Sequence, residues 1–196
     1  MTENIHSVAI GKIVASDAPN DVLVAYGIGS CVAVCLYDPT ARVGGVLHAL
    51  LPTVPGENSR NNGNPAKFVD QGMPLLVEAL LKLGARRSRL IAYLCGGARV
   101  LSALDLDDFL NIGERNVLAA ESALQSERIR VRARATGGRI GRTVRLYVAD
   151  GRVTVKSLKH GEQTLAPVVD STASVKRERR AVRKPISGRR VMQRMS

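Results

Sequence analysis

The stretch that decides the fold runs from residue 27 to residue 52 and reads GIGSCVAVCLYDPTARVGGVLHALLP. Its first apolar run, Cys31 to Tyr37, is rich in β-branched residues and predicts a buried strand. Asp38 to Ala41 is a turn signal, and Gly44 to Leu51 predicts the returning strand of a hairpin. Because opposed residues of a hairpin keep a constant index sum, a fold-back between residues 39 and 40 places Cys31 opposite His48.

A thiol opposite an imidazole is a nucleophile beside its base. A free thiol has a pKa of ~8.5 and is mostly protonated at neutral pH, so a neighbouring imidazole that accepts its proton activates it. The preceding glycine turn lets the backbone N–H groups of Ser30 and Cys31 converge on a developing oxyanion. The pattern predicts an acyl transfer with Cys31 as nucleophile, His48 as general base and acid, and Ser30 as a backbone oxyanion donor.

Simpler interpretations of these residues stay open. Cysteine often behaves as a small buried hydrophobe, and a histidine in an apolar run is often a hydrogen-bonded core residue. Cys35 and Cys95 fit that description best. A metal site of Cys31, Cys35 and His48 is disfavoured, because C-x3-C within a strand lacks the turn that brings zinc thiolates together. The glycines at residues 27–30 lack the third glycine of a dinucleotide fingerprint, so we expect neither a metal nor a cofactor.

The whole chain has 196 residues and is 45% hydrophobic, which suits one domain with a sizeable core. Helical spacing predicts helices over Phe68 to Leu83 and Ile112 to Leu124. The other predicted strands are Val8 to Ala15, Asp21 to Tyr26, Leu90 to Cys95, Arg128 to Ala135, Arg142 to Ala149 and Arg152 to Leu158. Strands outnumber helices in a mixed order, which indicates the α+β class.

The net charge of +12 is concentrated towards the C-terminus. Residues 160–196 hold nine Lys and Arg against three Asp and Glu, with no aromatic residue and no periodicity. We therefore expect a catalytic domain over residues 1–159 and a basic, disordered tail over residues 160–196. The tail is either an electrostatic docking arm or a solvated segment without a target.

Several other features bear on location and partners. Residues 1–10 lack the segments of a secretory signal, and no apolar run reaches the ~18 residues that span a bilayer. Three cysteines do not make the disulfide framework of a secreted domain. We expect a cytoplasmic protein with free thiols and no membrane insertion. With six Tyr and Phe in total and no recognisable motif, nucleic-acid binding is not expected.

Residues 27–39 and 44–52 closely resemble the CheD family, the chemoreceptor glutamine deamidases. Further matches to the family are residues 67–70, 95–98, 111–116 and 136–138, so the resemblance covers roughly residues 5–158 and not the tail. It implies an α/β/α layered sandwich of mixed, mostly antiparallel strands, similar to the catalytic domain of the cytotoxic necrotizing factor toxins.

The resemblance also implies an activity and partners. It implies a cysteine-dependent protein-glutamine glutaminase that converts glutamine side chains of methyl-accepting chemotaxis receptors to glutamate through a thioester. Cys31 matches the family's nucleophile and His48 its general base. The implied partners are the cytoplasmic domain of these receptors and a CheC-type phosphatase.

One position departs from the family pattern. Six residues before the nucleophile the family has a threonine as third catalytic residue, and this chain has Ala25. Alanine accepts no hydrogen bond, so Ala25 is expected to be non-functional, and another side chain, water or the backbone must orient His48. The departure keeps an alternative open, namely a catalytically weak or inactive adaptor that binds chemoreceptors or a CheC-type phosphatase.

Overall fold

The computed structural model describes residues 2–54, 63–99 and 112–166. The strands are β1 (Asn4–Ser7), β2 (Lys12–Ser16), β3 (Asp21–Ile28), β4 (Val32–Asp38), β5 (Val43–Ala49), β6 (Ile91–Gly96), β7 (Arg130–Thr136), β8 (Arg142–Tyr147), β9 (Val153–Ser157) and β10 (Gly161–Ala166). The helices are α1 (Val69–Lys82) and α2 (Ile112–Ser126), with short 3₁₀ turns at Pro65–Lys67 and Arg87–Arg89. No helix among the described residues is long and apolar enough to cross a bilayer.

The strands form two five-stranded sheets. Sheet I has the order β2-β5-β4-β6-β7, and sheet II has the order β1-β3-β8-β9-β10. Of the strand pairs in the described part of the chain, β1 with β3 and β6 with β7 are parallel, and the others are antiparallel. The predicted α+β class with mixed, mostly antiparallel strands is confirmed.

Strand β4 is buried on both faces and sits at the centre of sheet I. Val34 and Leu36 on one face pack in the same core cluster as the helices, while Cys35 and Tyr37 on the other face pack with sheet II. The described layers are therefore helices, sheet I and sheet II, which differs from the implied α/β/α order. Sheet II fills the third layer, and its strand β8 shows the period-two pattern of a sheet with one buried face, with Val144 and Leu146 buried and Arg145 and Tyr147 partly exposed. The likeness to the toxin domain stays a prediction.

The β4–β5 hairpin has a different register from the predicted one. Val32 pairs with Ala49 and Ala33 pairs with His48, so Cys31 and His48 are not directly opposed. The fold-back lies one residue later because Arg42 adopts a left-handed conformation, with φ of 55°, and its N–H donates to the Asp38 carbonyl at 2.8 Å. The partner of His48 is therefore Ala33 and not Cys31, a shift of two residues. A shift of two keeps Cys31 and His48 on the same face of the sheet.

Asp38 anchors this turn. Its buried carboxylate accepts hydrogen bonds from the Thr40 and Ala41 N–H groups within the turn, at 2.9 and 3.1 Å. It also accepts from the Arg86 N–H at 2.8 Å and pairs with the Arg89 guanidinium at 2.7 Å. Burial opposes ionisation, but these donors outweigh it and hold the pKa of Asp38 below the usual aspartate value. The charged carboxylate therefore fastens the hairpin to the segment that precedes β6.

The folded part extends further than the sequence indicates. Residues Gly161–Ala166 form β10, which pairs with β9, and the Glu162 carboxylate accepts from the Thr154 hydroxyl at 2.6 Å. The predicted tail over residues 160–196 therefore starts too early, because ladder pairing at the sheet edge orders a segment with little apolar content. Residues 167–196 lie outside the described part of the chain.

Replacing Asp38 by asparagine removes the charge that these donors share, so we predict a loss of about 2 to 4 kcal/mol of unfolding free energy at neutral pH. Because the pKa of Asp38 is lowered on folding, its contribution is present above the unfolded pKa and is lost as pH falls through the lower folded value. Urea unfolding of wild type and Asp38→Asn at pH 7 and at acidic pH measures both effects.

The matched control for this variant is Glu78→Gln, which breaks an exposed ion pair with Lys82 on α1. That pair is solvated, so its loss should leave the unfolding midpoint nearly unchanged. Equal effects of the two variants would mean that the Asp38 network does not hold the turn.

Candidate active site

Cys31 lies in the bend between β3 and β4, at the start of the central strand of sheet I. It is 6% exposed, whereas Cys35 is 0% and Cys95 is 1% exposed. Burial raises the pKa of all three thiols, to about 12 for Cys95, so each is protonated at neutral pH. All three thiols are buried, and Cys31 is the one with the largest exposed fraction.

The end of β6 passes directly behind Cys31. The Gly97 N–H donates to the Cys31 carbonyl and the Ala98 N–H donates to the Gly29 carbonyl, both at 2.8 Å. Gly96 has a φ of 118°, and a β carbon at that position would lie 2.2 Å from the Cys31 carbonyl oxygen. Only glycine allows this close approach. The sequence resemblance covers residues 95–98 but does not indicate that they support the candidate nucleophile.

These contacts fix the direction of the backbone N–H groups near the thiol. In a planar trans peptide the N–H points opposite to the C=O, so the Ser30 N–H points away from Ala98, which holds the Gly29 carbonyl. The Cys31 N–H faces its own sulfur, where it partly offsets the effect of burial on the pKa of the thiol. Both orientations suit the oxyanion donors that the sequence predicts, and that role stays a prediction.

His48 is a buried residue of β5 whose imidazole has a defined tautomer. Its Nδ1 lies 3.0 Å from the Val8 carbonyl oxygen, which can only accept, so Nδ1 carries the proton and Nε2 keeps its lone pair. Burial lowers the pKa of His48, and the bond to Val8 offsets part of that effect. The ring is therefore neutral at pH 7. Its Nε2 has no hydrogen-bond partner among the described residues, the Cys31 thiol included.

The thiol and the imidazole share the face of sheet I that packs against sheet II. Ala33 is the direct partner of His48, which makes Cys31 its diagonal neighbour. Diagonal neighbours have α carbons roughly 7 to 8 Å apart, with the side chains in reach of each other. Catalytic hydrogen bonds are often long before substrate binds, so this arrangement suits a nucleophile and its base.

The Val8 carbonyl accepts the hydrogen bond from His48 that the side chain of Ala25 cannot accept. Ala25 is fully buried in β3, within the core between the sheets, and it brings no acceptor to the imidazole. Val8 follows β1, and its N–H donates to the Val24 carbonyl at 2.8 Å, which holds the Val8 backbone against β3. The sequence could not indicate Val8, because a backbone acceptor has no side-chain signature. The predicted strand over Val8 to Ala15 includes Val8, whereas in the structure Val8 lies between β1, which is not among the predicted elements, and β2, which begins at Lys12.

No group of three or more His, Cys, Asp and Glu side chains within the described ranges is arranged to hold a metal ion. The disfavoured zinc set of Cys31, Cys35 and His48 does not form one, because Cys35 is a fully buried residue paired with Val46 in the middle of the hairpin.

The family comparison and the comparison with curated proteins agree on one family. The family described as CheD chemotactic sensory transduction matches residues 50–157. A Symbiobacterium thermophilum protein named "Probable chemoreceptor glutamine deamidase CheD" is 42% identical over 164 residues, which cover 82% of this chain and 97% of that protein. The chain belongs to the CheD family.

A second CheD relative, from Pyrococcus abyssi, carries the same name and is 46% identical over 141 residues, covering 72% of this chain and 85% of the relative. Among solved structures, a Neisseria meningitidis protein of family DUF152 is 11% identical, covers 69% of this chain and 63% of its own, and has a TM-score of 0.43. That likeness is too low to compare the folds in detail.

Exposure and the raised pKa of Cys31 together predict how the native protein reacts with iodoacetamide. Modification should occur at Cys31 and spare Cys35 and Cys95, and its rate should rise with a midpoint above the ~8.5 of an ordinary thiol. Peptide mass spectrometry of protein alkylated at a series of pH values measures both. Fast modification already at pH 6, lost in His48→Gln, would reveal a preformed thiolate–imidazolium pair and contradict the neutral pair.

Proposed function

We propose that this CheD family member is a protein-glutamine deamidase that uses Cys31 to convert glutamine side chains of methyl-accepting chemotaxis receptors to glutamate. The observation that carries the proposal is the tautomer of His48, whose Nδ1 donates to Val8 and whose Nε2 is left as a base on the face of Cys31. The names of the curated relatives support the same activity. The enzyme is a hydrolase acting on the carbon–nitrogen bond of a linear amide.

In the first half of the reaction, His48 Nε2 takes the proton of the Cys31 thiol as the sulfur attacks the carboxamide carbon. The negative charge that develops on the amide oxygen is stabilised by the backbone N–H groups of Ser30 and Cys31. The protonated imidazole then gives its proton to the departing nitrogen, the carbon–nitrogen bond breaks, and ammonia leaves. A thioester between Cys31 and the glutamyl side chain remains.

In the second half, His48 accepts a proton from water, and the resulting hydroxide attacks the thioester carbon. The carbon–sulfur bond breaks, the imidazole returns its proton to the sulfur, and glutamate is released. The net change is one amide and one water converted to one carboxylic acid and one ammonia. Because the neutral pair is restored, each cycle starts from an uncharged thiol and an uncharged imidazole.

The proposal also covers the substrate of the protein, its location and a second partner. Its substrate is the cytoplasmic domain of chemotaxis receptors, which places the enzyme in the cytoplasm, and a CheC-type phosphatase is the proposed second partner. The adaptor alternative draws its support from Ala25, the position where the family has threonine. The hydrogen bond from His48 to the Val8 carbonyl weakens that alternative, because it gives the imidazole an orienting acceptor.

Deamidation is tested by incubating the protein with a receptor cytoplasmic domain and following amide-to-acid conversion by peptide mass spectrometry. Wild type should convert selected glutamines, Cys31→Ala should fall to background, and His48→Gln should lower kcat by about 10²- to 10⁴-fold, the usual contribution of a general base. Cys35→Ala is the matched control, because it removes a fully buried thiol from the same strand and should keep the wild-type rate.

Two further outcomes separate the alternatives. Binding of the receptor by wild type without any conversion would contradict the enzyme and favour the adaptor. Ala25→Thr should not raise kcat by more than about twofold, because Nδ1 of His48 already has its acceptor. A tenfold gain would mean that the Val8 carbonyl does not replace the family's threonine.

A further inference from the structure

Asn116 of α2 connects the two strands that carry the site. Its side chain is fully buried, and its Nδ2 donates to the Ser30 carbonyl at 2.8 Å and to the Leu50 carbonyl at 2.9 Å. Ser30 directly precedes Cys31, and Leu50 lies two residues after His48. One nitrogen atom thus ties the nucleophile turn to the strand of the general base.

The bond to Ser30 acts on the nucleophile's own peptide. The Ser30 C=O and the Cys31 N–H belong to one planar trans peptide, so an interaction that fixes the oxygen also fixes the opposite direction of the N–H. Ala98 and Gly97 hold the carbonyls of Gly29 and Cys31 on either side. Of these three successive carbonyls, the middle one, that of Ser30, is held by a side chain, that of Asn116.

The helix is brought to this position by two glycines. A β carbon at Gly113 would lie 2.7 Å from the Gly97 carbonyl oxygen, so the first turn of α2 rests on the backbone that supports Cys31. Residues three apart share a helix face, and Asn116 therefore projects in the direction of Gly113. Because the helix lies this close, a side chain with the length of asparagine reaches both the Ser30 and the Leu50 carbonyls.

The residue type follows from the hydrogen bonds. A carboxamide offers two N–H donors on one nitrogen, whereas an ionised aspartate of the same shape offers none. The Oδ1 of Asn116 is buried without a partner among the described residues, which is an unfavourable state for an acceptor. Asparagine is therefore suited to this position by its donor pair and not by its oxygen.

We propose that Asn116 is a positioning residue for the deamidation, one that aims the Cys31 N–H at the oxyanion and holds the nucleophile turn against the strand of His48. The inference rests on the proposed function for its effect on rate. It goes beyond that function by assigning a role to Asn116, which the chemistry of Cys31 and His48 does not use.

Asn116→Leu removes both donors at nearly constant shape and adds no charge near the thiol. We expect kcat for receptor deamidation to fall about 100-fold with KM changed less than about threefold, because small displacements of reacting groups lower the rate by that order without weakening substrate binding. The midpoint of the iodoacetamide reaction of Cys31 should also move to higher pH, since the Cys31 N–H would no longer be held towards the sulfur.

The matched control is Leu124→Ala on the same helix, which loosens the core against sheet I without touching a group near Cys31. It should lower the melting temperature while keeping kcat within about threefold and leaving the alkylation midpoint in place. A loss of kcat in Asn116→Leu no larger than that of Leu124→Ala, with an unshifted alkylation midpoint, would overturn the proposal.

Two further measurements decide the proposal if wild type is inactive or if the variant does not fold. If wild type deamidates no receptor, the proposed function fails, and the alkylation midpoint of Asn116→Leu alone decides whether Asn116 positions Cys31. If Asn116→Leu does not fold, hydrogen exchange of the Asn116 side-chain amide in wild type decides instead. That amide should exchange far more slowly than exposed side-chain amides, and exchange as fast as theirs would refute the hydrogen bonds.

Discussion

Three successive backbone carbonyls, those of Gly29, Ser30 and Cys31, are held from behind by interior donors. Two of the donors are the N–H groups of Gly97 and Ala98, and the third is the side chain of Asn116. Because each carbonyl is rigidly linked to the N–H of the next residue, these bonds orient the donors that surround the thiol. The end of β6 and the first turns of α2 are thus parts of the site, although they contribute no reacting group.

Burial keeps Cys31 and His48, the proposed reacting pair, uncharged. It raises the pKa of Cys31 and lowers the pKa of His48, so the transfer of a proton between them is unfavourable until a substrate supplies stabilisation for the new charges. The Val8 carbonyl selects the tautomer that leaves Nε2 free. In this member of the family a backbone oxygen therefore orients the imidazole, where the family pattern has a threonine and this chain has Ala25.

The sequence predicts the central elements well, and its failures have physical causes. Strands β3 to β9 and both helices appear within two residues of most predicted ends, because their apolar periodicity is strong. β1 is four exposed residues and β10 is held by edge pairing, so neither has that periodicity. The hairpin register depends on the left-handed Arg42, a conformation that composition does not reveal.

The candidate site is predictable to the same extent. Cys31 and His48 follow from their spacing and from the resemblance, since a shift of two residues in register keeps both on one face. Val8, Gly97 and Asn116 do not follow, because they act through backbone atoms or through a helix distant in sequence. Partitioning with hydroxylamine tests the proposed thioester on Cys31 most directly. During turnover, wild type should form the glutamyl hydroxamate in competition with glutamate, whereas glutamate alone at every hydroxylamine concentration would contradict a covalent intermediate.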